Sequence, residues 1–174
     1  MDWRSDYYLY EKISQFLEDN NIKDYFDPYS FCKIKGWNLI PYDADNYNHL
    51  LNISEDGFSV YENNEYYIFY NPLMYEFRIN FTLSHEIGHI ILLHHHFVPN
   101  KVLMSSNSYN SVWERQANIF ARNVLMPAKE FKQIQDLNRR PYIEGSRYGV
   151  SNQALRVRWS TLNEDIKMLN MFNV

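Results

Sequence analysis

The run Phe81-Thr-Leu-Ser-His-Glu-Ile-Gly-His-Ile-Ile-Leu-Leu93 constrains this chain more than any other stretch of its 174 residues. No proline interrupts residues 73–97, and the segment from Ile87 to Leu93 is apolar on nearly every side. Such a pattern predicts a buried helix rather than a surface one, and it is too short and too broken by histidine to cross a bilayer. On a helix His85 and His89 rise from one face about 6 Å apart. Two imidazoles at that separation can share one Zn²⁺ at the ~2.0–2.1 Å that zinc–nitrogen bonds require. Glu86 follows His85 directly, placed to act on water as a general base without being a ligand. Gly88 costs about 1 kcal/mol relative to alanine in mid-helix, a sign that something needs the space there. A core helix with two satisfied histidines is the ordinary alternative, but a pair at this spacing with glutamate after the first favours the metal.

A catalytic zinc takes three protein ligands and keeps one position open. His95 lies six residues beyond His89, where some zinc peptidases carry their third histidine, but their pattern needs a glycine at the position held by Leu92. Without it the helix is expected to continue and carry His95 away. His94, His95 and His96 then read as the wet end of the helix, where donors suit the last carbonyls. Glu114 is the other candidate. It opens the segment 113–127, in which Ala117, Phe120, Ala121, Val124 and Leu125 form an apolar stripe at helical spacing before Pro127. Glu114 could give a carboxylate to zinc, with Asn118 one turn on to hydrogen-bond a ligating histidine. It could equally be a first-turn glutamate that complements the helix dipole.

The segment from Phe77 to His94 (Phe-Arg-Ile-Asn-Phe-Thr-Leu-Ser-His-Glu-Ile-Gly-His-Ile-Ile-Leu-Leu-His), followed by Glu114-x-x-Ala-Asn-x-Phe-Ala-x-x-Val-Leu-Met-Pro127, resembles the ImmA/IrrE family of metallopeptidases. Tyr148-Gly-Val-Ser-Asn-Gln-Ala-Leu-Arg-Val-Arg158 resembles a later element of the same family. The likeness spans roughly residues 32 to 160, and two metal segments together are far more specific than the five-residue motif alone. It implies a zincin-like core with His85, His89 and Glu114 as zinc ligands and Glu86 as the base. Ser84 stands where alanine is usual, and Asn118 where some relatives have aspartate; neither departure affects metal binding. The resemblance further implies a protease acting on a helix-turn-helix repressor, an anti-repressor role of members carried on phages and mobile elements.

The rest of the chain suits an α+β fold. A helix over Tyr7–Leu17 shows its apolar face at Leu9, Ile13, Phe16 and Leu17. Residues 37–42 read as a strand that Pro41 pushes to an edge. Strands at 58–61 and 66–70 flank an Asn63-Asn64 turn and suggest a small antiparallel sheet. In peptidases of this plan a sheet edge can receive an extended substrate as an added strand. The expected organisation is a metallopeptidase domain over 1–140 and a small helical appendage over 141–174, packed on the same domain. Pro141 and Glu144-Gly145 mark the loop between them. A hydrophobic fraction of 45% excludes disorder. The single cysteine, Cys32, excludes a disulfide framework and a multi-cysteine zinc site within the chain. Residues 1–6 lack a signal-peptide pattern, so cytoplasmic residence without membrane association is the default.

Charge is uneven. Residues 127–174 carry eight basic and five acidic side chains, whereas residues 1–126 carry nine basic and sixteen acidic ones. Arg139, Arg140, Arg147, Arg156 and Arg158 dominate the basic part, and Ser151 suits the N-cap of a helix that follows. Such asymmetry suits either a surface for nucleic acid or acidic protein, or an ordinary appendage with solvated arginines, and the second reading is favoured. The mechanism expected is metal-assisted peptide hydrolysis; no tyrosine has a spacing that marks it as the oxyanion stabiliser. The alternative function is a non-proteolytic regulatory protein with a structural zinc that binds DNA or a partner. The presence of Glu86 favours the protease, because a structural site needs no base.

Overall fold

A computed structural model describes residues 5–97, 102–104, 111–137 and 147–172. Its order is α1 (Asp6–Asp19), α2 (Pro28–Lys35), β1 (Asn38–Pro41), α3 (Tyr47–Ile53), β2 (Gly57–Glu62), β3 (Glu65–Tyr70), α4 (Glu76–Ile91), a 3₁₀ turn (His94–Phe97), β4 (Val102–Met104), α5 (Ser111–Leu125), α6 (Ala128–Asp136) and α7 (Asn152–Leu169), with a closing 3₁₀ turn at Asn170–Phe172. Helices and a small sheet together make the α+β class. Among the described residues no helix is long and apolar enough to cross a membrane. The chain divides into two compact units, Asp27–Asn118 and Met1–Phe26 with Ile119–Val174.

The unit Asp27–Asn118 holds the sheet, whose strand order is β1-β3-β2-β4. The β2–β3 hairpin turns through Asn63 and Asn64, whose φ angles of 52° and 64° are those of the primed turns that match strand twist; asparagine tolerates them nearly as well as glycine. Contrary to the expected antiparallel sheet, this one is mixed, because β1 runs parallel to β3 from Asn38↔Tyr67 to Pro41↔Tyr70. Strand order decides this: β1 joins the far edge of β3 after the chain has crossed through α3 and β2, and a parallel pair needs such a crossover. Pro41 is tolerated on that edge strand.

Residues of β2 that point to one face lie along α4. A Cβ on Gly57 would stand 2.7 Å from Thr82 Cγ2 and 2.6 Å from the Phe69 carbonyl oxygen. Two residues on, Ser59 meets Glu86, one helical turn beyond Thr82. Two strand residues and four helix residues each advance about 6 Å, so the contact at Gly57 sets the contact at Ser59. Gly57→Ala should destabilise the fold by about 1–3 kcal/mol through overpacking, read as a lowered urea midpoint at unchanged slope. A midpoint equal to wild type would show that strand and helix have slack.

Helix α4 ends where continuation was expected. It stops at Ile91, Leu92 caps it, and Leu93 takes a left-handed φ of 60°. The Leu93 N–H donates to the Ile90 carbonyl and the His96 N–H to the Leu93 carbonyl. Reversal is thus achieved without glycine, at roughly 1–2 kcal/mol of local strain. It folds His94 and His95 back into the interior, where both are fully buried, so only His96 of the three is at a wet helix end.

In the other unit, Leu9, Ile13, Phe16 and Leu17 of α1, the stripe Phe120, Ala121, Val124 and Leu125 of α5, and Leu155, Leu162 and Leu169 of α7 are all buried. Phe16 and Phe120 meet edge to face at 4.9 Å. Ser151 caps α7 by accepting from the Ala154 N–H at 3.2 Å. Arg158, expected among solvated arginines, is instead wholly buried and ion-paired with the equally buried Asp165. Asp165 also accepts from Arg122 at 2.6 and 2.9 Å and from the Tyr10 hydroxyl, while Arg158 donates to Asn123 Oδ1 at 3.1 Å. Burial lowers the Arg158 guanidinium to about 10 despite the opposing Asp165 charge. Arg147 faces Asp24 and Glu130, and Arg139 and Arg140 lie outside the described residues.

Candidate metal centre

The candidate centre lies within the unit Asp27–Asn118. Helix α4 carries His85 and His89 on one face, and the first turn of α5 brings Glu114 to them. The two Nε2 atoms are 3.0 Å apart, and the Glu114 carboxylate faces both, Oε2 at 3.1 Å from His85 Nε2 and Oε1 at 3.4 Å from His89 Nε2. Among the described residues these three form the group of ligand-type side chains that could hold a metal ion. Tetrahedral zinc with bonds of about 2.1 Å holds its ligand atoms roughly 3.4 Å apart. The separations in this triangle of side chains are close to that edge length, each histidine nitrogen facing one oxygen of Glu114.

Hydrogen bonding behind the imidazoles supports the same fit. His85 Nδ1 lies 3.0 Å from Asn118 Oδ1, an atom that can only accept, so Nδ1 carries the proton and Nε2 is bare. His89 Nδ1 lies 2.8 Å from His94 Nδ1, and His94 Nε2 lies 3.1 Å from Gln116 Oε1. Gln116 Oε1 accepts from His94 Nε2–H, which leaves His94 Nδ1 to accept from His89 Nδ1–H. Both ligand-type nitrogens are thereby turned towards Glu114 with their lone pairs free. Two lone pairs at 3.0 Å repel unless a cation lies between them and the carboxylate. The donor set therefore fits a divalent, zinc-like ion.

Without a metal, protons take that place. Burial disfavours a charged His85, but its hydrogen bond to Glu114 and the charges of Glu86 and Glu114 outweigh burial and raise its pKa. Burial would raise the Glu114 carboxyl, yet hydrogen bonds from His85 and His89 hold it well below the usual carboxylate range. Metal must displace the proton shared here, so affinity falls as pH drops through the raised His85 pKa. Burial and the nearby His89 push His94 down to about 2, and His94 stays a neutral relay. Trp113 stacks on it with centroids 5.6 Å apart.

Glu86 is almost fully buried beside the triangle and is not part of it. Its Oε2 accepts from the Ser59 hydroxyl at 2.5 Å, and His95 Nε2 lies 3.0 Å from the same Ser59 oxygen. His95, weighed above as a third ligand, thus turns through Ser59 to Glu86 and not to the histidines, although the helix reversal brings it inward. His94, Gln116 and Ser59 are not among the site residues that the sequence suggests, and His95, considered there as a ligand, takes a different place. The unbroken run His94-His95-His96 was the one signal available for the histidines. Nothing local in the sequence marks Ser59 or Gln116.

The supporting bonds have a measurable consequence. Asn118→Ala and His94→Phe should each weaken metal binding by about 10–100-fold while leaving the ligands in place, measured by competition with a chromophoric chelator. Wild-type affinity in both would mean that the rings are held by packing alone.

The model for the IrrE N-terminal-like domain of a peptidase family matches residues 39–160. That span includes both helices of the triangle, nearly all of the sheet and the first half of α7. No curated protein matches the chain significantly. A family match over more than half the chain, together with two histidines and a glutamate in metal-binding array, settles the kinship: this chain belongs to the ImmA/IrrE family of metallopeptidases.

Proposed function

We propose that this chain is a zinc-dependent endopeptidase of the cytoplasm whose substrate is a helix-turn-helix transcriptional repressor. The observation that carries the reading is Glu86: a carboxylate buried beside the His85–His89–Glu114 triangle, tied to Ser59 rather than to the triangle. A structural ion has no use for such a group. Zinc, when bound, supplies Lewis acidity that lowers the pKa of water towards ~7 and polarises the scissile carbonyl. His85, His89 and Glu114 hold the ion, as in the His₂Glu catalytic type. Glu86 takes the proton of the attacking water and returns it to the leaving amine. Asn118 and His94 keep the histidine lone pairs in place.

Strand β4 pairs with β2 from Val102 to Met104 and is an edge of the sheet among the described residues. An extended substrate can add there as a further strand, with main-chain hydrogen bonds giving affinity. The repressor must offer such an extended segment, since backbone already paired within a helix is closed to the site. The choice of a repressor rests on family membership and is tested by co-expressing this chain with a helix-turn-helix repressor encoded beside it. Repressor fragments are expected with wild type and intact repressor with Glu86→Gln. Intact repressor in both, with salt-sensitive DNA binding by this chain alone, would favour the non-proteolytic regulator. Of the five arginines behind that second reading, Arg158 is spent internally on Asp165 and Arg147 pairs with Asp24.

A further inference from the structure

The hydrogen bonds behind Glu86 have only one consistent direction. Ser59 has a single hydroxyl proton, and the 2.5 Å contact with a carboxylate oxygen uses it. Its oxygen must then accept from the second neighbour, so His95 presents Nε2–H across the 3.0 Å contact. His95 Nδ1 is buried and has no hydrogen-bond partner among the described residues. A bare nitrogen there is consistent with the Nε2–H tautomer. Burial and nearby His89 push the His95 imidazole down to about 3, so it stays neutral at working pH. Ser59 and His95 are both wholly buried, and the Tyr66 ring packs edge-on to His95 at 5.6 Å.

We infer that Ser59 and His95 form a one-way relay, His95 Nε2–H to Ser59 Oγ–H to Glu86 Oε2, that fixes the orientation of the Glu86 carboxylate. With Oε2 occupied by a donor, Oε1 is the oxygen left to receive a proton. The relay makes Ser59 and His95 positioning residues for the base. It divides the support of the site in two: Asn118 and His94 hold the ligands, and Ser59 and His95 hold the carboxylate between them. The reversal at Leu93 supplies both histidines, because adjacent residues of the following 3₁₀ turn point about 120° apart. His94 is directed to His89 and His95 to Ser59.

This inference rests on the peptidase reading for its effect on rate, but the relay itself can be observed without cleavage. In the zinc-loaded full chain, long-range ¹H–¹⁵N correlation should give His95 as the Nε2–H tautomer. In Ser59→Ala its Nε2 proton resonance should move upfield as the acceptor is lost, with zinc affinity unchanged. A His95 Nδ1–H tautomer in wild type, or an unmoved resonance in Ser59→Ala, overturns the relay whether or not the chain cleaves anything. For rate, Ser59→Ala should lower kcat on the co-expressed repressor about tenfold, the worth of one charge-assisted hydrogen bond, with KM unchanged. His95→Gln, which keeps an N–H near the Nε2 position, should restore most of what His95→Leu loses. Equal kcat for Ser59→Ala and wild type, or equal loss in His95→Gln and His95→Leu, would refute the positioning role. Absence of cleavage by wild type would count against the peptidase reading alone and leave the spectroscopic result to decide the relay.

Discussion

Glu86→Gln is expected to bind zinc as tightly as wild type, to unfold at the same urea concentration, and to cleave its substrate at least about 10²–10⁴-fold more slowly. The substitution is nearly isosteric. The amide oxygen can still accept from Ser59, so the buried contact at Oε2 can survive with Gln oriented that way. What is lost is a group able to take a proton from water and hand it on. Because the loss concerns the transition state, kcat should fall with little change in KM. Cleavage by this variant at the wild-type rate would exclude Glu86 as the base and leave the buried carboxylate beside the triangle unexplained.

Asp165→Ala is expected to remove about 3–5 kcal/mol of stability, a large share of the ~5–15 kcal/mol typical of a folded domain. Asp165 has no solvent exposure and compensates Arg158, which has none either, while Arg122 and Tyr10 donate to the same carboxylate. Removing the anion leaves one guanidinium wholly buried and a second partly so, without a counter-charge. By contrast, Arg156→Ala on the exposed face of α7 should stay within about 0.5 kcal/mol of wild type. Equilibrium urea unfolding of both variants makes the comparison. Equal midpoints for the two would mean that the buried pair adds nothing that the surrounding core does not supply.

Local sequence patterns predicted local structure well. The stripe from Ala117 to Leu125 is buried throughout, because a 3.6-residue period can be satisfied only by a helix with that face inward. The Asn63-Asn64 turn was readable for a similar reason: positive φ at two successive residues restricts the choice of side chain. Features that depend on distant partners were not readable. The parallel docking of β1 is decided by strand order. The end of α4 is decided by Leu93 in a conformation that leucine does not advertise. Arg158 carries a charge that usually means solvent, and only the position of Asp165 seven residues on, two turns along the same helix, hints at its burial.

At the centre itself the same division holds. His85, Glu86, His89, Glu114 and Asn118 lie on two helices at spacings that fix their faces, and the fold places His85, His89 and Glu114 within ligand distance of one another with Asn118 against His85. Ser59, His94, His95 and Gln116 reach the centre through a strand, a helix reversal and a neighbouring helix face. Their contacts arise from packing: Gly57 lets β2 approach α4, and Leu93 turns the chain back.

Elemental analysis of the full-length chain purified without chelator tests the central claim most directly. About one zinc per wild-type chain is expected, retained in Glu86→Gln and lost in His85→Ala, His89→Ala and Glu114→Ala. Full zinc occupancy in Glu114→Ala, or a metal-free wild type that takes up no zinc when it is supplied, would contradict the His85–His89–Glu114 centre.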